Sequence, residues 1–198
     1  MSDRNKTREI VRGWHFVRKT LRNGRPVPKD GEWLTHDGLM KMCESGLHFS
    51  PTPFQALQYA PGETLCLVEM RGDIAIDDDK GIARERRIVC RMDATELLRY
   101  YARMQALSVI HLWESDPPDV VLDYLMTGDA ALMVAAEAAA RAAASAAKSA
   151  AARAAARAAT WAEARAAARA AASAAAGAAA GADFNALVYE CFGLKDGL

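Results

Sequence analysis

Four things are scarce in this chain, and each scarcity excludes a class of protein. Its four cysteines (Cys43, Cys66, Cys90 and Cys191) have no short paired spacing, which leaves neither a disulfide framework nor a zinc-ribbon pattern. Cys66 and Cys90 fall inside apolar strand patterns, where a buried reduced thiol is the ordinary state. Cys43 and His48 stand five apart, but the remaining cysteines and histidines have no close partner, so no metal site is expected. Long strongly apolar runs are missing, and the opening MSDRNKTRE has no apolar stretch behind it, so the expectation is a soluble cytoplasmic protein with no membrane contact. Phosphate-loop motifs are absent, since Gly72 and Gly81 stand alone. Neither sign of charge is in excess, with 25 Lys and Arg against 25 Asp and Glu, which argues against a dedicated nucleic-acid binder.

What the chain has in abundance is alanine. Between Ala130 and Ala182 lie 53 residues, 35 of them alanine, and most departures fall four apart: Glu137, Arg141, Ser145, Ser149, Arg153, Arg157, Trp161, Arg165, Arg169, Ser173, Gly177 and Gly181. Alanine loses least on entering a helix, so the tract predicts helix throughout. Four residues turn an α-helix by about 400°, so each marked position drifts by about 40° from the last and the stripe circles the axis. Three forms accommodate that drift: one long helix, several short closely packed helices, or a more loosely wound segment. Methyl groups bury little area and isolated alanine helices are marginal in water, so the tract predicts docking, with Trp161 as an anchor. Arg153, Arg157, Arg165 and Arg169 form two four-spaced pairs able to meet duplex phosphates, or simply to keep an alanine rod in solution.

The first hundred residues read differently. Ile10 to Val17 predicts a strand with Trp14 and Phe16 on one face. Residues 22 to 32 are turn-rich. A short strand at Trp33 to Thr35 and a turn of helix around Leu39 to Met42 follow. Gly46 to Ser50 is a brief strand, and Thr52, Pro53 and Gln55 form a capping box opening a helix to Tyr59. Thr64 to Arg71, Ile74 to Asp77 and Arg86 to Met92 alternate as strands. Asp93 to Glu96 opens a helix with Leu97, Tyr101, Met104 and Ser108 on one side and Leu98 beside them, and Pro117-Pro118 opens another ending at Thr127-Gly128. Asp183 caps a last amphipathic helix bearing Phe184, Leu187, Val188, Cys191 and Phe192, closed by Gly193. The reading is an α+β protein: a small mixed-sheet head at 10–107, a connecting helical segment at 108–129, the alanine-rich element at 130–182 and a terminal helix at 183–193.

Chemistry concentrates around GLHFSPTPFQALQYA, residues 46 to 60. A strand carrying His48 and Ser50 runs into a capped helix whose free N-terminus offers donors to an anion. An inward-facing Tyr59, Arg12 of the first strand and the run Arg84-Glu85-Arg86-Arg87 bring further charge to the same edge. A locally bonded His48 with Phe49, Phe54 and Tyr59 in the core accounts for the same residues.

The block GLHFSPTPFQALQYA, with LCLVEMRGDIAI and ERRIVCR, resembles an uncharacterised domain of bacteriophage and prophage proteins that precedes alanine-, arginine- and tryptophan-bearing helical repeats. More remotely, GLHFSP…ALQYA resembles the strand-and-helix block of ADP-ribosyltransferases. That resemblance implies NAD in a cleft, with His48 and Tyr59 catalytic alongside Glu85 (or Glu69) as the carboxylate, and with Arg12, Ser50 and Thr52 on the cofactor. Arg12-Gly13-Trp14 stands where that family has His-Gly-Thr, and no Glu-x-Glu pair is present. The functional expectation is an interaction or scaffold protein of phage type, assembling with copies of itself or with host or phage proteins through its alanine-rich region. The alternatives are an NAD-binding transferase-like enzyme and a weak duplex DNA binder.

Overall fold

The computed structural model describes residues 10–21, 24–113, 116–146 and 177–194. The chain divides into two compact units, residues 1–94 with 188–198, and residues 95–187. The architecture is α+β, as the strand and helix patterns predict.

The first unit is a five-stranded antiparallel sheet built from β1 (Val11–Val17), β2 (Trp33–Thr35), β3 (Leu47–Phe49), β4 (Thr64–Ile76) and β5 (Gly81–Asp93), with α1 (Pro53–Gln58) after β3. The strands run in the order β1-β4-β5-β2, and β3 also pairs with β5. The two strands predicted at Thr64–Arg71 and Ile74–Asp77 are one. Gly72 and Asp73 oppose Arg84 alone, and Gly72 takes φ 82°, so a bulge absorbs the turn signal and the ladder continues. The start of β5 also lies well before Arg86, as the partner that the long β4 requires.

Around Leu39 to Met42 the structure has a turn, not helix. Lys41 bridges Ser45, Cys43 takes φ 66°, and Leu39 is 83 % exposed with no core to bury against. The capping box forms as predicted: Gln55 N donates to Thr52 Oγ1 at 3.3 Å and Thr52 N to Gln55 Oε1 at 3.1 Å. Pro53, Ala56 and Leu57 of α1 are buried.

Alternation assigns the faces. One face of the sheet gathers Cys66, Val68, Met70 and Ile88, which pack with Val17, Phe49 and Ala83. On the other face Trp14 is fully buried, its ring edge-on to Phe192 at 4.9 Å and tilted against Tyr189 at 5.9 Å. The C-terminal residues thus supply the aromatic cover that their apolar spacing demands.

The second unit contains α2 (Thr95–Ser108), a 3-10 turn at Ile110–Leu112, α3 (Asp119–Thr127), α4 (Met133–Ala146) and most of α5 (Gly177–Cys191). The buried stripe of α2 is Leu98, Tyr101, Ala102, Gln105 and Ala106: Tyr101 and Leu98 are where the pattern put them, but the stripe turns to the alanines, which four apart admit closer packing than Met104 and Ser108 would. α3 ends at Gly128 in the left-handed conformation, as its sequence requires. α5 begins at Gly177 and not at Asp183, because the alanines before Asp183 simply propagate the helix. Leu194 N donates to Tyr189 O around Gly193, closing α5 as predicted. In α4, Ala136 and Ala140 are wholly buried. The greater part of the alanine tract, with Trp161 and Arg153, Arg157, Arg165 and Arg169, lies outside the described residues. No described helix is long and apolar enough to cross a membrane.

Candidate anion-binding cleft

The sheet nearly closes on itself. β3 leaves β5 at Phe49, and Ser50 then bridges Trp14 of β1 through two backbone bonds of 2.8 and 2.9 Å. Gly13 permits this approach, since a Cβ there would lie 2.7 Å from Phe49 and 2.8 Å from Ser50 O. Beyond that single bridge no described backbone bond joins β1 to β3, and a cleft of about 940 Å³ opens beside both strands.

Strand alternation decides what faces it. Arg86 stands opposite Met70 and Leu34, and His15 opposite Cys66, so His15, Arg86 and Leu34 share one face and line the cleft with His48 of β3. Arg86 is 5 % exposed and its Nη1 donates to the carbonyl of His48. Burial pushes its pKa down to about 10, which still leaves it charged at neutral pH. No carboxylate among the described residues pairs with it, although five neighbouring sheet arginines each have one: Arg12 and Arg87 on Glu69, Arg71 on Glu85, Arg84 on Asp73 and Arg91 on Asp30. Beside it His15 is held well below the usual imidazole range by burial, then by the charge of Arg86 and by His48. Arg86 is thus the most buried cation of the cleft, whose lining also carries the carboxylate of Glu44. The cleft walls include Leu34, Leu47 and Phe49, with Arg18 and Lys80 also in the lining.

Tyr59 is not inward-facing. It caps the end of α1 with half its surface exposed, donates its hydroxyl to Asp79 and accepts from Lys80 Nζ at 3.4 Å. The bond to Asp79, then burial, raises its pKa, and Lys80 opposes them.

Of the six residues singled out from the sequence, three line this cleft: His48, Ser50 and Tyr59. Thr52 is engaged in the α1 cap through Gln55. Arg12 and Glu85 lie on the opposite face, where Arg12 Nε meets Glu69 Oε1 at 3.2 Å and Arg71 Nη2 meets Glu85 Oε2 at 2.6 Å. Glu69 lies there too. Burial raises its pKa, but bonds from Arg87 and Arg12 outweigh that and hold it low. Trp33 completes that face, with the Arg71 guanidinium 4.0 Å and the Arg87 guanidinium 4.9 Å from its ring. The run Arg84-Glu85-Arg86-Arg87 is thus split by the pleat, Arg84 and Arg86 to one face and Glu85 and Arg87 to the other. Two central residues, His15 and Lys80, carried no motif; alternation within a longer β5 would have separated Arg86 from its neighbours. Cys43 and His48 both line the cleft, and no group of three potential metal ligands exists among the described residues.

Residues 11–100 match a family described as a domain of unknown function (DUF7666), a stretch that spans the sheet and the start of α2. No curated protein and no solved structure matches the chain.

Proposed function

We propose that the sheet unit is a binding module for a small anionic group, received at Arg86 between β1 and β3. The observation that carries the reading is Arg86 itself. A buried guanidinium with one carbonyl partner and, among the described residues, no carboxylate retains unused donors, and a ligand anion supplies the missing charge at least cost. His48 and Ser50 border the anion, and Tyr59 with Lys80 forms a fixed rim. The NAD reading keeps its diphosphate within this proposal, but the carboxylates it named, Glu85 and Glu69, pair with arginines on the opposite face, and the carboxylate in the cleft's lining is Glu44.

A thermal-shift series at constant ionic strength tests this, with acetate, phosphate, pyrophosphate, NAD and duplex DNA as probes. At least one anion raises the melting temperature of the wild type, and Arg86→Gln loses that rise. No response to any of them removes the reading.

A second reading concerns assembly with copies of this chain or with a host or phage protein. It draws on Val134 of α4, an apolar side chain 71 % exposed at the start of the alanine tract, and on the four-residue beat of that tract; Ala136 and Ala140 are already covered within this chain. Mass in solution tests it: a multimer that weakens on Trp161→Ala supports assembly, and a monomer at all concentrations ends it.

A further inference from the structure

The charged side chains of the cleft divide by what already balances them. Its lining holds three basic residues, Arg18, Lys80 and Arg86, and one acidic residue, Glu44. Glu44 Oε1 meets Lys41 Nζ at 2.7 Å, and Lys80 Nζ stands 3.6 Å from Asp79 Oδ1. Arg18 and Arg86 remain. Each donates to a carbonyl, Arg18 Nε to Pro61 and Arg86 Nη1 to His48, and neither meets a carboxylate among the described residues.

Arg18 is exposed, yet it is held. The chain at Gly62 passes so close that a Cβ there would lie 2.9 Å from Arg18 Cγ, and the Pro61 carbonyl fixes Nε. Among the described residues nothing takes the two terminal nitrogens of Arg18, or Nε and Nη2 of Arg86. A guanidinium tethered in advance loses less freedom when a ligand arrives, and its planar fork suits an oxyanion.

The two cations are set apart. Trp14 stands opposite Ser50, so in the antiparallel sense residue 16 is level with His48, whose carbonyl holds Arg86. Arg18 lies two residues further, about 7 Å along the extended chain. One carboxylate or phosphate, whose oxygens share a single central atom, does not span that interval. Leu21, Leu34 and Leu47 are half-buried in the same lining, so whatever joins two anionic groups here meets apolar side chains.

We infer that the cleft takes an elongated dianion, one anionic end on buried Arg86 and the other on exposed Arg18, with an apolar span between them. This rests on the anion-binding reading above and deepens it, adding a second anchor and a length. Two linked groups bind more tightly than either alone when the link matches the gap, and the gain vanishes when the link cannot reach.

The test uses the full chain and straight-chain α,ω-dicarboxylates from succinate to sebacate, each beside its own half-amide, in calorimetric titrations at constant ionic strength. At the matching length the diacid should bind about tenfold or more tighter than its half-amide, and affinity should fall for shorter and longer members. Arg18→Gln should bring that diacid down to its half-amide. Equal binding of diacid and half-amide at every length overturns the inference. So does a diacid advantage that ignores length or survives Arg18→Gln. If acetate or phosphate raises the melting temperature through Arg86 while every diacid binds like its half-amide, the inference falls and the anion reading stands. If no anion of either set registers, both fall. The diacid and half-amide comparison needs no variant, so a misfolded substitution cannot obscure it.

Discussion

Six arginines of the sheet show what a guanidinium needs once it leaves water. Arg12, Arg71, Arg84, Arg87 and Arg91 reach carboxylates, while Arg86, the most buried of them, has a single carbonyl. Removing Glu69, which serves both Arg12 and Arg87, should cost about 1–3 kcal/mol by chemical denaturation, since charged hydrogen bonds in a largely buried site are lost. His15 gives a pH signature. Its folded pKa lies well below 6.5 while the unfolded chain titrates near 6.5, so between the two the unfolded state holds more protons. Stability is then complete above 6.5 and declines as pH falls towards the folded value. His15→Gln should flatten the melting temperature between about pH 7 and pH 5, where Glu69 contributes nothing because it titrates lower. At this scale the sequence was partly legible. His48, Ser50 and Tyr59 announced themselves by sitting beside a capping box, and all three line the cleft. Arg86 was hidden in a charged run, because which face a strand residue takes depends on where its strand begins and bulges, and the Gly72 bulge is a property of the pair of strands.

Elements were legible where a local rule fixes them. The capping box at Thr52, the glycine stop at Gly128 and the glycine stop at Gly193 follow from side-chain and backbone bonds within a few residues, and all three form. Thr52→Ala should destabilise the sheet unit by about 1 kcal/mol in a urea titration, because the hydroxyl that accepts from Gln55 N is gone while the backbone bond from residue 52 to Gln55 Oε1 stays available. The buried stripe of α2 and the length of β4 were less legible because distant partners decide them. The closure of β1 on β3 belongs to the same class, and it depends on Gly13. Any side chain at that position meets Phe49 and the Ser50 carbonyl. Gly13→Ala should therefore break the Trp14–Ser50 rung, visible as lost hydrogen-exchange protection at Trp14 and Ser50, with a stability loss of about 1–3 kcal/mol.

For the molecule as a whole, an even charge balance and an alanine-rich tract set expectations about class but said little about the ligand, because both are averages over surfaces that do different things. Five arginines of the sheet strands are balanced by carboxylates, and that balance conceals Arg86, the buried one that has none among the described residues. The family match over residues 11–100 places the cleft within the shared part of the chain. The alanine-rich part lies beyond it. The most direct measurement is on Arg86 itself, in the full-length protein. Its guanidinium N–H resonances, assigned by comparison with Arg86→Lys, should sharpen and move downfield on titration with an anion that raises the melting temperature, while those of Arg71 and Arg87 stay in place. Unchanged Arg86 resonances through such a titration would show that the anion binds elsewhere and would contradict the account.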